Sequence, residues 1–182
     1  MKAKAAILAA VLAAFAAAPA AAATRCGAKT FRIDDTIQAY RGNFLAVCDS
    51  KRACKALTYV EDKTQPNQWS HRLAFLHKDK DAPWILQLTS AKEQADVSAG
   101  FAFVVDGNEP LQAPPEVLAS PGSLNDYELI ADLGQIVINA FGPGANVEWR
   151  YTAKEPRGPE SVWFSLKGLR ASLRWIDCMQ KR

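Results

Sequence analysis

The chain has 182 residues, 49% of them hydrophobic and 23% charged, with 22 Lys+Arg against 19 Asp+Glu and five Trp. That composition excludes an intrinsically disordered chain, and a net charge of only +3 gives no electrostatic footprint for nucleic acid or an anionic membrane. A single domain is expected, large enough to bury a core of its own.

The first elements belong to a leader. Lys2 and Lys4 precede an apolar run from Ala5 to Ala18, followed by Pro19 and an Ala21-x-Ala23 end. This is the three-part order of a secretory signal peptide, and an Ala-rich run of roughly 14 residues falls short of the ~20 that a spanning helix needs. Residues 1–23 are therefore predicted to be cleaved, leaving residues 24–182 as a single disulfide-stapled domain in an oxidising space, most simply the periplasm, with no membrane anchor. Lys2 and Lys4 leave with the leader, so the remainder stands within one charge of neutral.

Four cysteines in an exported chain point to two disulfides among three formal pairings. Cys48 and Cys54 flank a polar Asp49-Ser50-Lys51-Arg52-Ala53 turn between two strand-like runs, so a bridge there would staple a hairpin. Cys26 and Cys178 would then close a loop spanning nearly the whole domain. A metal site is disfavoured because there is no C-x-x-C and there are only two His, and no cofactor is expected.

Residues 44–47, 55–60, 71–76, 84–89 and 101–105 are short runs rich in aromatic and branched side chains, separated by turn clusters at 64–67, 78–83 and 106–110. They predict an antiparallel meander. Residues 111–122, with Pro114, Pro115 and Pro121, read as a surface connection or irregular edge. Ser123 looks like a helix start; Leu129, Ile130, Leu133, Ile136, Val137 and Phe141 then recur at helical spacing until Gly142-Pro143-Gly144, with a strand through residues 136–138 as the alternative. Residues 146–152 and 161–166 are predicted strands, and Leu169, Leu173 and Ile176 form one stripe of a closing helix. The fold class expected is β-rich α+β: an antiparallel sheet or small sandwich with a C-terminal helix packed on it.

Chemistry is sparsely signalled. His71 and His77, six apart, would share one side of a strand; half a metal site is outweighed by surface or strand-end histidines beside the charged 78–81 turn. Asp79 and Asp81 read as a solvated hairpin tip. No G-x-S-x-G or other nucleophile setting occurs, so no catalytic residue is assigned. Asp34, Asp35, Asp126 and Glu128 are the acids that would favour an enzyme if they met in one cleft, although acids so placed more often cap helices. Trp149, Tyr151 and Trp175, with Trp163 and Phe164, either line a groove for glycan or peptide or fill the core between sheet and helix. Arg170 and Arg174 share an exposed helix face near Arg182 and complete a candidate partner surface.

The segment from Phe164 to Asp177, followed by Gln180 and Arg182, resembles the closing strand, Leu-x-Gly turn and helix of an uncharacterised family of exported Gram-negative proteins, the domain of unknown function 1176 family. Val47-Cys48-Asp49 and Arg52-x-Cys54-x-Ala56 are similar to that family's early cysteine motif. A looser similarity extends to the invasion-associated locus B family. Cys178 departs from the terminal pattern, as Cys26 lies outside the early one. The resemblance supplies no catalytic residues to transfer. With the lack of catalytic motifs and the two expected disulfides, it points to a non-enzymatic periplasmic interaction module for an envelope protein or peptidoglycan-derived ligand. A small envelope hydrolase or hydrolase inhibitor, using loops 78–83 or 110–121, is the alternative.

Overall fold

The computed structural model describes residues 23–121, 125–129 and 133–181. The predicted signal up to residue 22, the helix start placed at Ser123, Ile130 of its apolar stripe and Arg182 lie outside the described residues.

Period-two alternation of small or apolar side chains with polar ones dominates the chain and produces strands, each with one buried face. The strands β1 (Ala23–Arg25), β2 (Ala28–Ile33), β3 (Thr36–Arg41), β4 (Phe44–Cys48), β5 (Cys54–Glu61), β6 (Trp69–His77) and β7 (Ile85–Ser90) follow as successive antiparallel neighbours. After β8 (Phe101–Val105) and β9 (Leu111–Ala113), the chain adds β10 (Leu118–Ala119) and β11 (Asp126–Leu129) to the first sheet, in the order β7-β11-β10. Helix α1 (Leu133–Phe141), β12 (Asn146–Ala153), β13 (Gly158–Ser165) and α2 (Leu169–Gln180) complete the chain, with a second sheet ordered β13-β12-β8-β9. The inner faces of both sheets and both helices share one core that includes Phe44, Phe75, Phe103, Phe141, Trp149 and Trp175. This is the expected β-rich α+β class, with two antiparallel sheets and a C-terminal helix packed on them. Among the described residues no helix is long and apolar enough to cross a membrane.

The five strands expected between residues 44 and 105 are present, but the expected meander ends at β7: β8 crosses to the second sheet, where it pairs with β12 and β9. The central helix is shorter than its apolar spacing predicted. Asp126–Leu129 is a strand, paired through Tyr127↔Leu88 and Leu129↔Leu86, and helix begins only at Leu133. Tyr127 and Leu129 are buried two apart with Glu128 between them facing outward, a period of two that fits the edge of β7 better than a helix. Asp34, read as an acid of helix-cap type, sits instead in the β2–β3 turn with φ +52°.

Helix α2 is anchored at both ends. At its start, Gly168 has φ +99°, and a Cβ there would lie 1.8 Å from the Arg41 carbonyl oxygen, so only glycine permits the approach. The adjoining Lys167 carbonyl accepts a 2.8 Å bond from Asn43 N–H. Near its end Cys178 is bonded to Cys26, and the Trp175 indole N–H donates to the Arg25 carbonyl at 3.1 Å. The second bridge, Cys48–Cys54, joins registered neighbours on β4 and β5.

Candidate functional site

β6 carries His71 on its inner face, in phase with Leu73 and Phe75. The residue is 6% exposed. Its Nε2 lies 2.9 Å from the Tyr151 hydroxyl oxygen and 3.4 Å from Glu93 Oε1, and its Nδ1 lies 3.1 Å from Ser70 Oγ. Tyr151 reaches this point from β12 and donates its hydroxyl proton to Glu93 Oε1. Glu93 arrives from the turn after β7, which is fixed by Ser90 Oγ accepting the Lys92 and Glu93 amides at 3.2 Å each. Arg157, in the β12–β13 turn, donates to the other oxygen, Glu93 Oε2, at 2.9 Å. Trp149 closes the inner wall, stacked on Tyr151 at 4.3 Å and edge-on to His71 at 5.9 Å.

Ser70, His71, Glu93, Tyr151 and Arg157 border a pocket of about 510 Å³ between β13 (Glu160 to Trp163) and the outer ends of β5 and β6, with Trp149 buried behind them. Lys92 is tied there to Asp62 at 3.1 Å. Hydrogen bonds from the Thr64 hydroxyl and amide, with help from Lys92, hold the Asp62 carboxyl down to about 2. Burial pushes the Tyr151 phenol above its ordinary range, reinforced by its bond to Glu93, so the hydroxyl stays a proton donor. Burial likewise holds the His71 imidazole below its ordinary value, against the opposing pull of Glu93.

That last direction has a measurable sign. The unfolded chain takes up the His71 proton near pH 6.5 while the folded chain resists it, so stability falls as pH drops below about 6.5 toward the lower folded value. Urea unfolding between pH 7.5 and 5 is expected to show this decline in the native chain and a shallower one in His71→Gln. Parallel slopes would reject the assignment.

Ser70, His71 and Glu93 are residue types of a nucleophilic triad, but Ser70 Oγ donates to the Val60 carbonyl at 3.2 Å, which directs its proton into the β5–β6 pair. The arrangement is suited to gripping a polar ligand: it offers a fixed phenol, a partly exposed guanidinium and carboxylates around an aromatic wall.

Of the groove candidates read from the sequence, Tyr151 and Trp163 line this pocket. Trp149 and Trp175, which the sequence left between a groove and the core, are 0% and 1% exposed and lie in the core. Arg170 and Arg174 are exposed on the outer side of α2, apart from the pocket. The histidines share one side of β6 as their spacing predicts, and His77 ends the strand, but neither is at the surface: six residues of regular strand bring both to the buried inner face. His77 stacks on Trp84 at 4.1 Å, with Nδ1 2.5 Å from Gln180 Oε1 and Nε2 2.9 Å from the Ala82 carbonyl. Among the described residues no three His, Cys, Asp or Glu side chains group to hold a metal. The four candidate acids do not meet: four strands separate β3 from β11, where Asp126 pairs with Arg72 at 3.2 Å and Glu128 accepts from Gln87 at 3.0 Å. His71 could have been found from its parity with Leu73 and Phe75. Glu93, Arg157 and Glu160 carry no such signal, since turns and a register across β12 and β13 deliver them.

Fold and pocket together define a two-sheet, disulfide-stapled β-rich domain with a polar inter-sheet site. No protein family and no curated protein matches the chain. Among solved structures, that of invasion associated protein B from Bartonella henselae is similar, with a TM-score of 0.62 over 80% of this chain and 99% of that one at 14% identity. At that identity the likeness is one of fold, and it agrees with the looser of the two resemblances in the sequence.

Proposed function

We propose that the protein is exported, with residues 1–23 as a cleaved signal and residues 24–182 as the working domain, and that it is a non-enzymatic interaction module of the cell envelope. Two disulfides among the described residues accord with an oxidising compartment. The fold it shares with an invasion associated protein supports an envelope setting, and the closing-helix and early-cysteine motifs support kinship with the domain of unknown function 1176 family.

The observation that carries the reading is the pocket between the sheets. Its His71, Tyr151, Glu93 and Arg157 groups are locked by one another into a fixed donor and acceptor pattern, the preorganisation that binding requires. The ligand class is an envelope protein or a peptidoglycan-derived glycan. The disulfide-intact domain, cross-linked to envelope preparations and to purified peptidoglycan, is expected to give saturable capture that Arg157→Ala with Glu160→Ala abolishes. Capture unchanged by that pair would reject the pocket as the binding site, and turnover of peptidoglycan would reject the non-enzymatic reading.

A further inference from the structure

We infer that β13 is a docking edge for an extended segment of a partner protein, which adds to the second sheet as a further strand and places one side chain in the pocket beneath. The inference rests on the binding role proposed above and names its partner class.

The hydrogen-bond phase of β13 is fixed by its neighbours. Leu166 N–H donates to the Ala145 carbonyl at 2.7 Å, and the register pairs Phe164 with Val147, Val162 with Trp149 and Glu160 with Tyr151. In an antiparallel ladder these alternate residues turn their backbone groups toward β12, so Ser161, Trp163 and Ser165 turn theirs the other way, to the free edge. The phase of β12 agrees, because the Asn146 carbonyl accepts from Asp106 on its β8 side at 3.2 Å. Pro159, which has no N–H to offer, also falls on the free-edge phase, where a strand tolerates proline.

The other sheet edges are blunted. β1 and β9 are three residues long and β10 is two; β9 runs into Pro114 and Pro115, and β10 is followed by Pro121. β13 has eight residues, and Trp163 at its middle is 51% exposed. Long edges with open donors and acceptors are commonly protected, and one left open is a template for strand addition. Here the template adjoins a pocket, so main-chain bonds would supply affinity and the pocket would select an alternate side chain.

The lining charges indicate which side chain. Lys92 is tied to Asp62 and Arg157 to Glu93, while Glu61, Glu160 and Lys63 make no ion pair among the described residues. The surplus is one carboxylate, which fits a Lys or Arg of the incoming strand, with Trp163 at the rim to receive its aliphatic stem. A second copy of this chain fits less well. It could pair its own β13 with the edge, but its Val162 and Phe164 are 8% and 1% exposed in its own core and could not enter the pocket.

The test uses the disulfide-intact domain and an array of heptapeptides, random except for a central Lys. Selected peptides are expected to slow amide exchange at Ser161 and Trp163. Ser161→Pro removes one outward N–H while sparing the β12 ladder, and should weaken binding about tenfold relative to Ser161→Ala, which equally loses the hydroxyl's bond to Glu148 but keeps the N–H. Glu160→Gln should erase the preference for Lys over norleucine. Absence of binding across the array, binding that leaves Ser161 and Trp163 exchanging freely, or protection that depends only on protein concentration through self-pairing would each overturn the inference. Envelope or peptidoglycan capture that persists in Ser161→Pro would leave the binding role standing and remove β13 from it.

Discussion

Cys26→Ala combined with Cys178→Ala is expected to cost about 5 kcal/mol of stability, against about 2 kcal/mol for the Cys48→Ala, Cys54→Ala pair. The asymmetry follows from loop length. The first bridge joins residues 152 apart and denies the unfolded chain nearly all of its end-to-end freedom; the second spans a separation of six. Set against a usual total of roughly 5–15 kcal/mol, loss of the long bridge leaves a marginal fold. The melting temperature of that variant should drop by roughly 10–20 °C, and that of the short-bridge variant by less than half as much. Calorimetry of the two double variants under non-reducing conditions checks this. Equal losses, or a larger loss for the hairpin bridge, would refute the chain-entropy account.

The long bridge also has a local role. It fixes α2 to the start of β2, beside the Trp175 bond to the Arg25 carbonyl, while Gln180 at the helix end donates to the Arg52 and His77 carbonyls at 3.0 Å each. One short helix thus ties the N-terminal hairpin to the β4–β5 turn and to the end of β6. The variant should therefore lose protection against amide exchange first in β1, β2 and α2.

Much of this architecture is legible in the sequence wherever a single local period decides the outcome. Residues 44–90 alternate apolar and polar side chains between turn clusters and fold as the meander they suggest, whereas 101–105, read as its last strand, joins the second sheet. Leu169 and Ile176 recur at helical spacing and pack inward. Misreading begins where two periods overlap. Leu129, Leu133, Ile136 and Val137 form a helical stripe, yet Tyr127 and Leu129 answer the demand of β7 for a partner, and register across the sheet outweighs local spacing. β2 and β3 escaped notice because their inward positions are small or polar, Ala28, Thr30 and Ala39, and give little hydrophobic contrast. The site was less legible than the fold. Its groups come from β6, the turn after β7, β12 and the β12–β13 turn, and no stretch of sequence shows that Glu93 and Arg157 will share one ion pair at 2.9 Å.

Trp149 separates a core role from a ligand role most sharply. It is wholly buried, edge-on to Phe101 at 5.3 Å and stacked on Tyr151, so Trp149→Ala should cost about 3–5 kcal/mol through lost contacts and the cavity left behind. Its indole N–H meets no acceptor among the described residues, so Trp149→Phe forfeits no hydrogen bond and should cost less than half as much. Because Trp149 also forms the wall behind His71 and Tyr151, the Ala variant should loosen the pocket, while the Phe variant should keep both the Tyr151–Glu93 bond and envelope capture. Denaturant unfolding of the two variants, paired with the capture assay, decides between the roles. If Trp149→Phe were as stable as the native chain yet lost capture, the indole would be a ligand contact after all, and the inner wall would have to open to the bound partner.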